Sequence, residues 1–247
     1  MDTASYIALS HQIGLWRQME VVANNLANLS TPAFKADRLI FAEFINPQPV
    51  SLDQSGAAAP ISFVQDLGTV SDLRPGGLIQ TGNAFDLAIE GPGYFVVETP
   101  AGPRYTRQGN LHADDQGRLV TGEGYVLLDT ANRPIALRRG ESRFEVTRKG
   151  QINTESGELA RIQIVRFEDE QALKKLGTGL YEAATDPLPA DDKIIVQQGA
   201  LEGSNVQSIL EVTTLIDITR RYQAAQRIID SENDRIRKAI EKLGQVA

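Results

Sequence analysis

Near both ends of the 247-residue chain apolar residues recur at helical spacing, and between them at strand spacing. Toward the N-terminus Leu15, Met19, Val22, Leu26 and Leu29 alternate by fours and threes, one stripe of a helix, with Ile13 and Trp16 flanking it. The C-terminal segment repeats the rhythm at greater length through Leu215, Ile218, Tyr222, Ala225 and Ile229. After a break at Glu232 it resumes at Ile236, Ala239 and Leu243. A sustained period of about 3.5 residues is a coiled-coil signal. Gly203 followed by Ser204 or Asn205 marks the start of this second helix, and Gly244 marks its stop. At about 1.5 Å per residue the two helices would be about 40 and about 58 Å long. Helices of that length either fold as a hairpin onto their own core or lay their stripes against other copies, and the pattern admits both.

The middle reads as short strands. "FDLAIEGPGYFVVET" gives a strand, a Gly-Pro-Gly break and another strand. "RLVTGEGYVLLD" and "FEVTRKGQINT" add runs with Gly turns, and "ARIQIVRF" alternates around Ile162 and Ile164. Asp114-Asp115-Gln116-Gly117 predicts a hairpin loop in which Gly117 supplies positive φ. Turns at this spacing predict an antiparallel meander or small barrel inserted between the helical ends. The Pro-containing stretches 46–60 and 183–193 read as connectors.

Between the first helix and the strands lies "VVANNLANLSTPAFK". Ser30 and Thr31 compete with helical hydrogen bonding, and Pro32 drives the residue before it out of the α region, so the helix should stop near Leu29. Asn24, Asn25 and Asn28 share a face beside the apolar stripe, because successive residues turn by about 100°. An amide both donates and accepts, so these three read as hydrogen-bond handles to a neighbouring chain or to the connector.

Composition narrows the function classes. A net charge of −7, with Lys and Arg scattered, argues against nucleic-acid binding. The absence of Cys excludes disulfides and thiolate chemistry. No run of about eighteen apolar residues predicts a membrane span, and "MDTASYIALSHQIG" lacks the build of a secretory leader. His11 and His112 stand alone, so neither a zinc site nor a His-based triad is predicted. Asp191-Asp192 and Glu168-Asp169-Glu170 could in principle supply a glycosidase carboxylate pair, but adjacent carboxylates are commonplace in surface loops. Gly91-Pro92-Gly93 and Gly177-Thr178-Gly179 are not phosphate loops, and Asn28-Leu29-Ser30 is an isolated glycosylation sequon. No enzyme class and no cofactor are predicted.

The same asparagine-rich stretch resembles the N-terminal signature of the bacterial flagellar axial proteins, the rod and hook subunits. The resemblance continues in "TGNAFDLAIEGPGYFVV", in "YTRQGNLHADDQGRLVTGEGYVLL" and in "QGALEGSNVQSILEVTTLIDITRRYQAAQRIID". Within the family, "YIALSHQIGLWRQMEVVANN" and "ISFVQDLGTVSDLRPGGLIQTGN" look most like proximal-rod members, with distal-rod members next. Ala33 stands where a Gly is common before Phe-Lys, Ala84-Phe85 where Pro-Leu is common, and Pro92 where an acidic residue is common.

The resemblance implies an α+β fold in which long N- and C-terminal helices pair as a coiled-coil-like inner domain, with an antiparallel β-rich domain inserted. The expected organisation is an inner-domain helix over 1–30, an extended connector over 31–80, the β-rich domain over 81–185, a return connector over 186–203 and the second inner helix over 204–247. It implies a subunit of the periplasmic rod of the flagellar basal body, a drive shaft enclosing the export channel. The chain would leave through the flagellar type III export apparatus without a cleavable signal. Its partners would be copies of itself and other rod proteins, without nucleic acid or membrane insertion. The expected assembly interface is Leu15, Met19, Val22, Asn24, Asn25, Leu26, Asn28, Leu29, Leu215, Ile218, Tyr222, Ala225, Ile229, Ile236 and Leu243. A competing class, a periplasmic glycan-binding or glycan-cleaving module on a helical stalk, requires an aromatic-lined pocket with convergent carboxylates, against an aromatic content of 6%.

Overall fold

The computed structural model describes residues 3–46, 61–138, 143–191 and 193–244, so most of the predicted 46–60 connector and Asp192 lie outside the described residues. The chain divides into two compact units. The first comprises Met1–Ala27, Asp37–Ser71 and Gln207–Ala247, and the second Asn28–Ala36 with Asp72–Val206.

The first unit holds the two α-helices, α1 (Thr3–Ala27) and α2 (Ser208–Gly244). Between them in sequence is a ribbon of two antiparallel strands, β1 (Asp37–Asn46) and β2 (Ile61–Ser71). The ribbon occupies much of the stretch read from the sequence as an extended connector. Its register shifts between Ile40 and Phe41, where Ile40 faces Gly68, and Gly68 takes φ +120 at this bulge. α1 stops at Ala27 because the chain then turns on itself: Thr31 N–H donates to the Asn28 carbonyl at 3.2 Å and the Thr31 hydroxyl bonds the Asn28 side chain at 3.1 Å. Leu29 therefore lies beyond the helix and is exposed.

The expected coiled-coil-like inner domain of long paired helices is not what the structure shows. There is one helix at each end of the chain and a large β-rich region, and the helices meet in a short apolar patch. Leu15, Val22 and Ile218 are its buried centre, with Met19, Leu215 and Tyr222 packed against them. The physical reason is that a coiled-coil seam needs matched apolar positions over several turns of both partners. Here the α1 stripe runs out at Leu26, and the last turns of α2 ("SENDRIRKAIEKLG") are dominated by charge, leaving Ile240 64% exposed.

The second unit is β-rich. Its strands are β3 (Leu78–Gln80), β4 (Leu87–Glu90), β5 (Tyr94–Thr99), β6 (Gly102–Thr106), β7 (Leu111–Ala113), β8 (Leu119–Thr121) and β9 (Val126–Leu127). They are followed by β10 (Phe144–Val146), β11 (Gln151–Thr154), β12 (Gly157–Arg161), β13 (Ile164–Arg166), β14 (Lys174–Lys175), β15 (Leu180–Glu182), β16 (Leu188–Pro189), β17 (Ile195–Gln198) and β18 (Ala200–Glu202). All the paired registers are antiparallel. The main sheet runs in the order β14-β15-β6-β5-β9-β8-β7, with β13 also pairing β5; β10-β11-β12 form a separate three-stranded sheet. The turn predicted at 114–117 is present, with Gly117 at φ +79 and its N–H on the Asp114 carbonyl.

The alternation of these strands buries Leu87, Ile89, Phe95, Val97, Leu119, Leu127, Ile135, Ile152 and Val196 in one apolar core. The opposite side of β5 contributes Tyr94 and Val96 to a second cluster with Val165, Phe167 and Tyr181. Two late segments complete the unit: β17 pairs with β4, and β18 pairs with β3.

Candidate assembly site

The expected interface residues fall into two groups. Leu15, Val22, Ile218 and Ala225 are buried within the first unit, and Met19, Leu26, Leu215, Tyr222, Ile229 and Ile236 are half-buried. Leu243 lies in α2, but its side chain is outside the described residues. The inner stripe is thus largely occupied by this chain's own helix contact. A Trp16–Tyr222 ring contact at 6.4 Å and a Gln12 Nε2 to Gln226 Oε1 hydrogen bond at 2.6 Å set the helices antiparallel along this patch.

A second apolar face remains open on each helix. On α1 it consists of Leu9 and Ile13, exposed by 48 and 62%, with Trp16 at its edge, 54% exposed although its ring also meets Tyr222. On α2 it consists of Ile209, Val212 and Ile216, the first of them 81% exposed. At about 100° per residue, both sets lie more than a quarter turn from Leu15 and Ile218 on their respective helices. Large apolar residues repeated at helical spacing on a solvent face mark an interaction surface rather than scattered surface hydrophobes.

The three asparagines separate as well. Asn25 is 1% exposed and holds the start of β1 in a two-way bond: its Nδ2 donates to the Asp37 carbonyl and its Oδ1 accepts the Asp37 N–H, both at 2.9 Å. Asn28 forms the turn after α1, and Asn24 is on the exposed side.

Sequence reasoning missed a buried ionic clasp in the second unit. The Glu202 carboxylate, 2% exposed, accepts from Lys35 Nζ at 2.5 Å on Oε1 and from Arg107 Nε at 2.7 Å on Oε2. Lys35 also donates to the Arg74 carbonyl at 2.9 Å, and the Gly76 N–H donates to Glu202 Oε1 at 3.0 Å. Arg107 also donates to the Ile89, Gly91 and Gly93 carbonyls. Burial pushes the Lys35 ammonium below its usual value, and the Glu202 carboxylate restores it only in part. Burial also works against the Glu202 carboxylate, but Arg107 and Lys35 outweigh it and hold the carboxyl below the usual range.

Three passes of the chain meet at this clasp. The 28–36 segment is joined to β18 by Ala33 N–H to the Glu202 carbonyl at 2.8 Å, and Asn205 N–H bonds the Phe34 carbonyl. Asn205 Oδ1 accepts the Ala36 N–H, while its Nδ2 donates to the Asp72 and Arg74 carbonyls at 2.7 and 3.0 Å. The 72–77 segment approaches so closely that a Cβ on Gly76 would stand 2.0 Å from the Gly203 carbonyl oxygen. Ala33 itself sits at φ +55 where it crosses Glu202. The signal in the sequence was the setting of the charges: Lys35 in "PAFKA" and Glu202 in "GALEG" are each flanked by small and apolar residues.

Among the described residues, the other groups singled out from the sequence do not converge on one another. His11 and His112 are both exposed. Asp169 caps the turn at Glu170–Ala172, Glu170 accepts the Tyr94 hydroxyl at 3.2 Å, and Asp191 lies 3.4 Å from Arg166. Among the described residues no group of three or more acidic or His side chains could hold a metal ion, and no helix is long and apolar enough to cross a membrane.

Three family descriptions match the chain in order: "Flagella basal body rod protein" over residues 6–35, "Flagellar hook protein FlgE/F/G D1 domain" over 88–166 and "Flagellar basal body rod FlgEFG protein C-terminal" over 197–242. The flagellar basal-body rod protein FlgF of Caulobacter vibrioides is 36% identical, with 100% of each chain covered. FlgF of Rhizobium meliloti is 31% identical over 99% of each. FlgG of Bacillus subtilis is 29% identical, over 95% of this chain and 97% of the relative.

Proposed function

We propose a mechanism of assembly from one premise: the chain belongs to the flagellar basal-body rod proteins and is a structural component of the rod in the basal body. The observation that carries it is the second apolar face of the terminal helices, left open after α1 and α2 have closed on each other. Leu9, Ile13 and Trp16 on α1 and Ile209, Val212 and Ile216 on α2 pack against copies of this chain and against other rod proteins. A contact between two different faces of successive copies whose rotation does not close into a ring generates, when repeated, a helical tube. Such a tube encloses the export channel and transmits torque along the shaft. End-to-end alignment with the FlgF relatives supports a place in the proximal rod, reached through the flagellar type III export apparatus.

The test is Ile216→Asp, expressed in a strain lacking the native gene. The variant should fold and be exported but should fail to enter the rod, because assembly would bury an unpaired carboxylate. Purified basal bodies that contain it at the normal level would overturn the assignment of this face. A defect in the monomer alone would point instead to a role in folding.

A further inference from the structure

The clasp of Lys35, Arg107 and Glu202 has a charge asymmetry that orders how the second unit can close. Two cations, both buried, share a single carboxylate whose two oxygens are divided between them. A further acid, Glu170, reaches the group through Tyr94, whose ring lies 5.6 Å from the Arg107 guanidinium. Removing Lys35 leaves a complete Arg107–Glu202 pair. Removing Glu202 takes away the shared hydrogen-bonded counter-ion of two buried cations, a strongly destabilising change. The three residues also come from distant parts of the chain: Lys35 from the segment after α1, Arg107 from just beyond β6, and Glu202 from β18, at a separation of 167 residues from Lys35.

We infer that Glu202 is a closing key. The 28–36 and 72–77 segments cannot be fastened into the second unit until β18 delivers its carboxylate. A chain in which β18 has not yet docked keeps those segments unfastened, while the core around Phe95 and Leu127 meets the clasp through Arg107, whose donors reach the Ile89, Gly91 and Gly93 carbonyls whether or not Glu202 has arrived. The key acts locally: the groups that depend on it are the N–H donors of Ala33, Ala36, Asp72, Gly76 and Asn205, all bonded within the same crossing. The inference rests on this geometry and does not depend on which surface the rod assembly uses.

Hydrogen exchange on the full-length monomer tests it, comparing Glu202→Gln, Lys35→Met and the double variant Lys35→Met/Glu202→Gln. Glu202→Gln keeps the shape, removes the charge and turns one of the two acceptor oxygens into a donor that faces Lys35 and Gly76 or Arg107. Protection at Ala33, Ala36, Asp72 and Gly76 should then fall by about 100-fold or more, while core amides such as Val97 and Leu119 lose less than about tenfold. Lys35→Met should cost the same segment less than about tenfold, and the double variant should recover at least about tenfold over Glu202→Gln. Equal losses in the two single variants would overturn the inference, as would a loss spread evenly over the core. If Glu202→Gln fails to fold, the double variant decides: folding supports the uncompensated-charge argument, and failure of both overturns it.

Discussion

If the terminal helices carry one face for folding and another for assembly, two isoleucines two residues apart should behave oppositely. Ile218 is 2% exposed in the α1–α2 patch, whereas Ile216 is 49% exposed on the far side of the same helix. Truncating Ile218 to Ala removes three buried carbons at about 0.8 kcal/mol each and leaves a cavity, about 3 kcal/mol together. The gain in helix propensity returns about 0.4 kcal/mol, for a net loss of about 2.5 kcal/mol. The same change at Ile216 removes about half that apolar burial, and the propensity gain reduces the loss to under about 1 kcal/mol. Urea unfolding followed by far-ultraviolet circular dichroism reads the stability of the helical unit directly. Rod incorporation in the complemented strain reads assembly. Ile218→Ala should lower the unfolding midpoint, and Ile216→Asp should leave the helical signal in place while abolishing incorporation. The reasoning is refuted if Ile216→Asp unfolds the helices as Ile218→Ala does, or if its strain swims normally.

Further tests address the chain crossings and the clasp. Asn25→Ala would strand the Asp37 N–H and carbonyl; with Asp37 half-buried and helix propensity improved, the expected net loss is about 2 kcal/mol, measured by denaturant unfolding. Ala33 and Ala88 are both buried, but only Ala33 has positive φ, so Ala33→Gly should be at least about 1 kcal/mol less damaging than Ala88→Gly in a paired unfolding comparison. The Glu202 carboxyl is held below its ordinary value in the fold, so the stability it contributes is fully present above about pH 4.3 and is lost as pH falls through its lower folded value. The stability gap between the native chain and Glu202→Gln, followed from pH 6 downward, should therefore be constant above that range and narrow only below it; a gap that instead widened toward acid would contradict the direction of the shift.

The parts of this fold that were legible in the sequence are those set by local periodicity. Leu15 and Val22 announce a helix because residues seven apart share a face, and Phe95 with Val97 announces a strand because alternate residues do. The Asp114–Gly117 turn was readable because Gly117 adopts a backbone conformation that few other residues adopt easily. Periodicity does not say which partner a stripe meets. Ile218 and Ile216 carry the same side chain two positions apart, and only the antiparallel placement of α1 decides that the first is covered within the chain. The coiled-coil expectation failed for the same reason, since it extrapolated a repeat of α2 into turns for which α1 offers no matching stripe.

Long-range polar geometry was less legible still. A lysine and a glutamate 167 residues apart are read as surface charges by default, since such residues are rarely buried unpaired. What could have raised suspicion is their company, Ala33-Phe34-Lys35-Ala36 and Ala200-Leu201-Glu202-Gly203, where small and apolar neighbours give a charge little access to water. The two units show why the sequence places its polar anchors there. The chain passes between units after Ala27, Ala36, Ser71 and Val206. Close to each pass, a neutral amide ties backbone to backbone: Asn25 to Asp37 in the first unit, and Asn205 to Ala36, Asp72 and Arg74 in the second. An amide can satisfy a donor and an acceptor together without importing a charge, so it suits a buried crossing where one backbone segment must present both. The buried ionic clasp lies in the second unit, where the crossing holds three passes at once. That division assigns register to the amides and closure to Glu202, and it accounts for the stretch Asn24–Lys35, which contributes an anchor to each unit although it is only twelve residues long.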